Sequence, residues 1–143
     1  EGVRLNEGST EALILFRQGP EGELATDELT AEAAVAAWTR RGDGTEGLLL
    51  VEGTSWQAES GLTLKATVPV SVELSLEKGS VTGTVQHPAV PGSQPYELTL
   101  RIGEGQSVKD VTSSHEVLDW QADANTLKLT LAPGEHQLII ELN

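Results

Sequence analysis

Apolar residues recur at every second position over much of this chain, the period of a strand with one buried face, and an amphipathic helix does not use that spacing. Val68, Val70, Val72, Leu74 and Leu76 share one parity, with Ser71, Glu73 and Ser75 on the other. The same alternation runs through Leu62, Leu64, Ala66; Val81, Gly83, Val85; Leu98, Leu100, Ile102; and Leu127, Leu129, Leu131. Turn-forming clusters interrupt these runs: Glu77-Lys78-Gly79, Pro91-Gly92-Ser93, Gly103-Glu104-Gly105, Asp123-Ala124-Asn125 and Pro133-Gly134-Glu135. Short strands with turns roughly ten residues apart predict an all-β antiparallel β-sandwich, of about ten to twelve strands in two sheets joined as meanders and hairpins. A chain of 143 residues suits one such domain, 1–143, with a real core. Val70, Val72, Leu74, Leu98, Leu100, Leu129, Leu131 and Ile139 are expected inside it.

Two stretches are less regular. Ala31 to Trp38 is Ala-rich and follows Thr26-Asp27-Glu28, a helix-cap composition, yet Leu29, Ala31, Ala33, Val35 and Ala37 hold one parity. The parity favours a strand over a helix. Gly47 to Val51 is apolar at both parities, the pattern of a central strand covered on both faces or crossing a crowded sheet. No stretch of about eighteen apolar residues is present to cross a bilayer as a helix.

Charge narrows the partners. Asp and Glu number 22 against 9 Lys and Arg, a net charge of −13 that repels nucleic acid and anionic membrane surfaces. The absence of Cys removes disulfides, thiolate metal sites and thiol nucleophiles, and leaves the compartment open. With no Met and an initial Glu1, the chain is expected to be a piece excised from a larger protein.

Few residues invite chemistry. His87, His115 and His136 show no metal-ligand spacing and read as exposed loop histidines. Ser113-Ser114-His115-Glu116 has the residue types of a hydrolase triad, but neighbours on an extended chain point to opposite faces. No nucleophile elbow, phosphate loop or dinucleotide fingerprint occurs, so no catalytic residue is assigned and the isolated chain is expected not to be a hydrolase or lyase. Asp119, Asp123 and Asn125 form an oxygen-rich turn, a candidate for structural calcium whose spacing does not match an EF-hand and also suits an ordinary turn. The five aromatic rings weigh more, because sugars lay their C–H faces on flat rings. Trp56, Trp120 and Tyr96 are the candidate carbohydrate-binding residues, each set against the alternative of a core aromatic with one wet edge.

Gly47-Leu48-Leu49-Leu50-Val51-Glu52-Gly53-Thr54-Ser55-Trp56, then Ser60 to Leu64, Pro69 to Leu74, and the finish Leu129-Thr130-Leu131-Ala132-Pro133-Gly134-Glu135-His136-Gln137-Leu138, resemble the C-terminal β-sandwich of heparinase II/III-like polysaccharide lyases. The resemblance spans about residues 24 to 142. It implies an accessory domain of a secreted or cell-surface enzyme of bacterial type. In that family the proton-abstracting Tyr or His lies mainly on other domains, and its motifs are not found here. Lyase substrates are uronic-acid polymers, which this charge repels unless Arg17, Arg40, Arg41, Lys65 or Arg101 gather into a basic patch. The expected function is therefore a non-catalytic accessory module contacting polysaccharide or oligosaccharide through exposed rings. The alternative is a structural sandwich that packs on its parent catalytic domain or a partner chain without binding sugar. A row of exposed rings would favour the first, and a large apolar patch with a polar rim the second.

Overall fold

The computed structural model describes residues 2–8, 10–16, 23–88, 92–103, 105–114 and 117–143. Arg17, Pro91, Glu104, His115 and Glu116, named above, lie outside the described residues. The strands are β1 Gly2–Glu7, β2 Thr10–Phe16, β3 Leu24–Ala25, β4 Leu29–Glu32, β5 Val35–Arg40, β6 Glu46–Ala58 and β7 Thr63–Glu77. There follow β8 Ser80–His87, β9 Tyr96–Arg101, β10 Val108–Ser113, β11 Val117–Asp123, β12 Thr126–Leu131 and β13 Gly134–Leu142. All thirteen belong to one antiparallel sheet, and no helix occurs among the described residues.

That sheet becomes two layers because its two longest strands run through both. The first half of β6 pairs with β5 and its second half with β4, while the two ends of β7 pair with β9 and β8. Layer one reads β1-β2-β5-β6-β7-β8-β13-β10, and layer two reads β3-β4-β6-β7-β9-β12-β11. Strands that switch layers at bulges are a known way to make sandwich corners. Here the register of β6 against β7 shifts on either side of Gly53. Glu52 takes φ 50°, and a Cβ at Gly53 would lie 2.6 Å from the Ala33 Cβ and 2.7 Å from the Glu32 carbonyl oxygen. On β7 the crossing passes through Pro69, where no amide hydrogen is needed, and the exposed Thr67 hydroxyl accepts from the Glu97 amide at 3.0 Å.

The same crossing settles residues 29–40. They are strand, as the parity suggests, but in two pieces: β4 belongs to layer two and β5 to layer one. Between them Ala33 and Ala34 break the alternation, the Ala34 amide donating to the Val51 carbonyl at 3.0 Å. Beyond the break Ala36 and Trp38 point inward, so the single parity expected from Leu29 to Ala37 is lost.

One core lies between the layers. Leu13, Leu15, Trp38, Leu48, Leu50, Val72, Leu74, Val81, Val85 and Ile140 come from layer one. Leu29, Trp56, Leu64, Leu98, Leu100, Leu127, Leu129 and Leu131 come from layer two. Seven of the eight expected core residues are buried, Val70, Val72, Leu74, Leu98, Leu100, Leu129 and Leu131. Ile139 is 49% exposed. His136, Leu138, Ile140 and Leu142 hold the inward parity of β13, so Ile139 faces out beside Thr82 and Thr112. In a run of adjacent apolar residues, parity has to be counted from the strand ends, and the inward His136 hides it.

Candidate functional site

Two of the three expected rings are not on the surface. Trp56 is fully buried opposite Leu64 and Ala31, and its indole Nε1–H donates to the Ala37 carbonyl at 3.2 Å, tying β6 to β5. Tyr96 is buried too, with no hydrogen-bond partner for its hydroxyl among the described residues, and burial pushes that hydroxyl up to about 12. Neither ring offers a face to a ligand, which corrects the expectation for both. Trp120 is 36% exposed on β11, an edge strand of layer two. It stands opposite Leu129, so it extends the core face outward, while Asp119 and Gln121 alternate to the other side.

The other candidates also separate. Asp119 and Asp123 share the outer face of β11 at strand positions four apart, about 13 Å by strand rise, too far to share one ion. The Asn125 amide nitrogen donates to the Ile102 carbonyl at 2.8 Å, which is turn chemistry. No group of three or more His, Asp or Glu that could hold a metal occurs among the described residues.

His136, read as a loop residue, is instead a buried residue of β13. Its Nε2 lies 2.7 Å from the Ala132 carbonyl, which can only accept, so that nitrogen carries the proton; Nδ1 meets the Ser113 hydroxyl at 3.3 Å. Sealed in the core, the ring fastens β10 to β13. His87 ends β8 with Nδ1–H donating to the Pro69 carbonyl at 2.8 Å and its ring 5.2 Å from that of Tyr96.

The cations do not converge. Arg40 pairs with Glu11 at 3.1 Å and lies over the Trp38 ring, and Arg4 pairs with Glu28 of the other layer. Arg41 and Lys78 border an open hollow of about 790 Å³ at one end of the sandwich, floored by Leu62, Leu76 and Leu142. There they are interspersed with Asp43, Glu46 and Glu77, and Asp43 is held below its usual range by hydrogen bonds from Thr45. Lys65, Arg101 and Lys128 occupy the outer face of layer two among Thr residues, Lys128 paired with Glu97 at 3.4 Å.

The outer face of layer one is different. Cross-strand partners lie on one face of a sheet, and the register strings Val3, Ile14, Ala37 and Leu49 into a single row across β1, β2, β5 and β6. A second row holds Phe16, Val35 and Val51, and a third Leu5 and Ala12, passing on to Thr39 and Gly47. Val3 is 44% and Leu5 54% exposed, and Ala12, Ile14, Leu49 and Val51 are half-buried. The rows turn polar at β7, where Leu49 meets Glu73 and Gly47 meets Ser75, and Thr82, Thr84 and Gln137 continue them.

A trough of about 760 Å³ runs along this face, with Ala12, Ala37, Thr39 and Gly47 in its bed and Ile14 and Leu49 on its walls. Small residues make it. A Cβ at Gly47 would meet the Thr39 hydroxyl, so a larger residue there has to displace that side chain. The doubly apolar Gly47 to Val51 run signals this face, and Leu13 to Phe16 carries the same signal. One side of β2, β5 and β6 is covered by layer two and the other by nothing in the described chain.

No protein-family model matches this chain, and a comparison with curated proteins returns no match.

Proposed function

We propose that the chain is a non-catalytic β-sandwich module that packs the apolar half of layer one's outer face on a neighbouring protein domain. The heparinase-like resemblance would make that neighbour the catalytic part of a secreted polysaccharide-degrading enzyme. The reading is carried by one observation, the row of Val3, Ile14 and Leu49, with the buried Ala37 between them, and its trough and polar border. Apolar surface gathered into one patch, and not scattered singly, is what interfaces present.

A random-peptide display library selected on the whole chain tests it, with an Ile14→Ser, Leu49→Ser double variant as counter-screen. The expected result is that the selected peptides lose tenfold or more affinity for the variant, about 1.4 kcal/mol. Peptides that bind both proteins equally would remove the docking role.

A direct sugar contact is the second reading, and its support is Trp120, the exposed indole at the β11 edge. Calorimetry with neutral and uronic-acid oligosaccharides against the wild type and Trp120→Ala decides it. The ring's loss should weaken any such binding by roughly tenfold to a hundredfold, by analogy with other aromatic stacking platforms.

A further inference from the structure

We infer that the partner received by this face is cationic, a protein segment whose apolar side chains fill the trough while a flanking Lys or Arg enters the hollow beside Glu73 and Glu135. The inference rests on the docking role proposed above and adds the chemistry of the occupant.

Charge is distributed unevenly over the two outer faces. From β1 through β13, the outward register positions of layer one carry Glu7, Glu73, Glu77, Glu135 and Glu141, and no Lys or Arg. The described cations are elsewhere: Arg4 and Arg40 have inward parity and are paired, Lys65, Arg101 and Lys128 lie on layer two, Arg41 and Lys78 are in turns, and Lys109 is on β10. Among the described residues, neither Glu73 nor Glu135 is in an ion pair. An apolar strip whose border is acidic without compensation attracts a strip whose border is basic.

The geometry places both halves of that recognition together. Glu73 stands directly across from Leu49, so their Cβ atoms are about 5 Å apart. Next to the trough a smaller hollow of about 220 Å³ is walled on one side by Leu49 and Val51 and on the other by Glu73, Gln86 and Glu135. It suits the methylene stem and charged head of Lys or Arg, the stem against the aliphatic wall and the head toward the carboxylates.

The same charges argue against other occupants. Two copies of the chain meeting through this face would oppose five carboxylates to five with no cation between them, in molecules of −13 each. An anionic lipid surface meets the same repulsion.

Fluorescence anisotropy on the whole chain tests the inference with three labelled probes: an amphipathic peptide of Leu and Lys, the same peptide with Glu in place of Lys, and oligolysine of equal length. The Leu/Lys probe should bind, weaken about tenfold for Glu73→Gln with Glu135→Gln and about tenfold for Leu49→Ser, and weaken further as salt rises. Circular dichroism and melting curves establish that each variant is folded, and the two glutamine substitutions are surface changes that spare the core. If the Leu/Glu probe binds as well, or the glutamine variants bind unchanged, the cationic requirement is wrong while the docking face stands. If binding is indifferent to Leu49, or oligolysine binds as tightly, the docking reading fails with it. Binding to phosphatidylcholine vesicles that Leu49→Ser abolishes, without peptide binding, would overturn both in favour of lipid.

Discussion

Tyr96 shows how a side chain's surroundings decide what it can be used for. It is the only Tyr in the chain, its ring is packed in the core beside His87, and its hydroxyl lacks a partner among the described residues. Burial raises its pKa to about 12 because the phenolate would lose its water. A folded pKa above the unfolded value means the contribution to stability is complete below the unfolded pKa of about 10 and is lost as pH climbs toward the folded value. Tyrosinate absorbance should therefore titrate near pH 12 in the folded chain and near its ordinary value in urea. A midpoint near 10 in buffer would show that the ring is wet. Tyr96→Phe removes an unsatisfied hydroxyl and should raise stability by about 1 kcal/mol in denaturant melts. The burial that produces these effects is what removes Tyr96 from sugar stacking, and Trp56 is removed by the same cause plus a hydrogen bond. Composition and local sequence cannot separate a core ring from a platform ring; that depends on which strand lies opposite.

At the scale of elements, the layer crossings and the edge strand carry the tension. Gly53→Ala should cost roughly 2 kcal/mol or more, because the added methyl meets the Ala33 Cβ, the Glu32 carbonyl and the Leu50 side chain at 2.6 to 2.7 Å, and backbone cannot yield as a flexible side chain can. Glu52, at φ 50°, should tolerate glycine with a gain of up to about 1 kcal/mol, since a left-handed residue without a Cβ is unstrained. Chemical denaturation of the two variants checks both signs. β1 is exposed along its whole length and is held by its ladder to β2 and by Arg4, which clamps Glu28 of the other layer, with Nη1 donating to Oε2 at 2.9 Å. The Arg4 hydrogen bond holds Glu28 below the usual carboxylate range. Its contribution is thus present above the unfolded pKa and lost as pH falls through the depressed folded one. Amide exchange should show β1 losing protection first on acidification, and Arg4→Gln should abolish that acid step while leaving β5 and β6 protected.

These elements also show how far the sequence carries. Strands β7, β9 and β12, and their buried residues, are readable from alternation because each has one dry face. The break at Ala33 and Ala34 is not, because Ala is apolar enough to hold either parity and what lies against the break is Gly53, on another strand. The docking face is half legible. A run apolar at both parities says that two faces need cover, and only the three-dimensional arrangement says that the chain covers one of them.

At the scale of the molecule, β6 and β7 make the two layers mechanically one. Each contributes a segment to both, and Leu48, Leu50, Val72 and Leu74 on one side share a single apolar cluster with Trp56, Leu64, Leu98 and Leu129 on the other. Separating the layers would expose both inner faces and break the β6–β7 ladder at its bulge, so no half retains a core of its own. Unfolding should accordingly be one cooperative transition despite the fifteen-residue length of β7. Trp fluorescence, to which Trp38 of layer one and Trp56 of layer two contribute, and far-ultraviolet circular dichroism should give coincident denaturation curves. Leu74→Ala in layer one and Leu129→Ala in layer two should each cost about 2–5 kcal/mol and shift both probes together. Two resolved transitions, or a Leu129→Ala variant that melts layer two while Trp38 stays buried, would show that the layers fold apart. The outcome bears on the docking face as well. A face carried mainly by β2, β5 and β6 is a rigid surface only if layer two holds those strands in register from beneath.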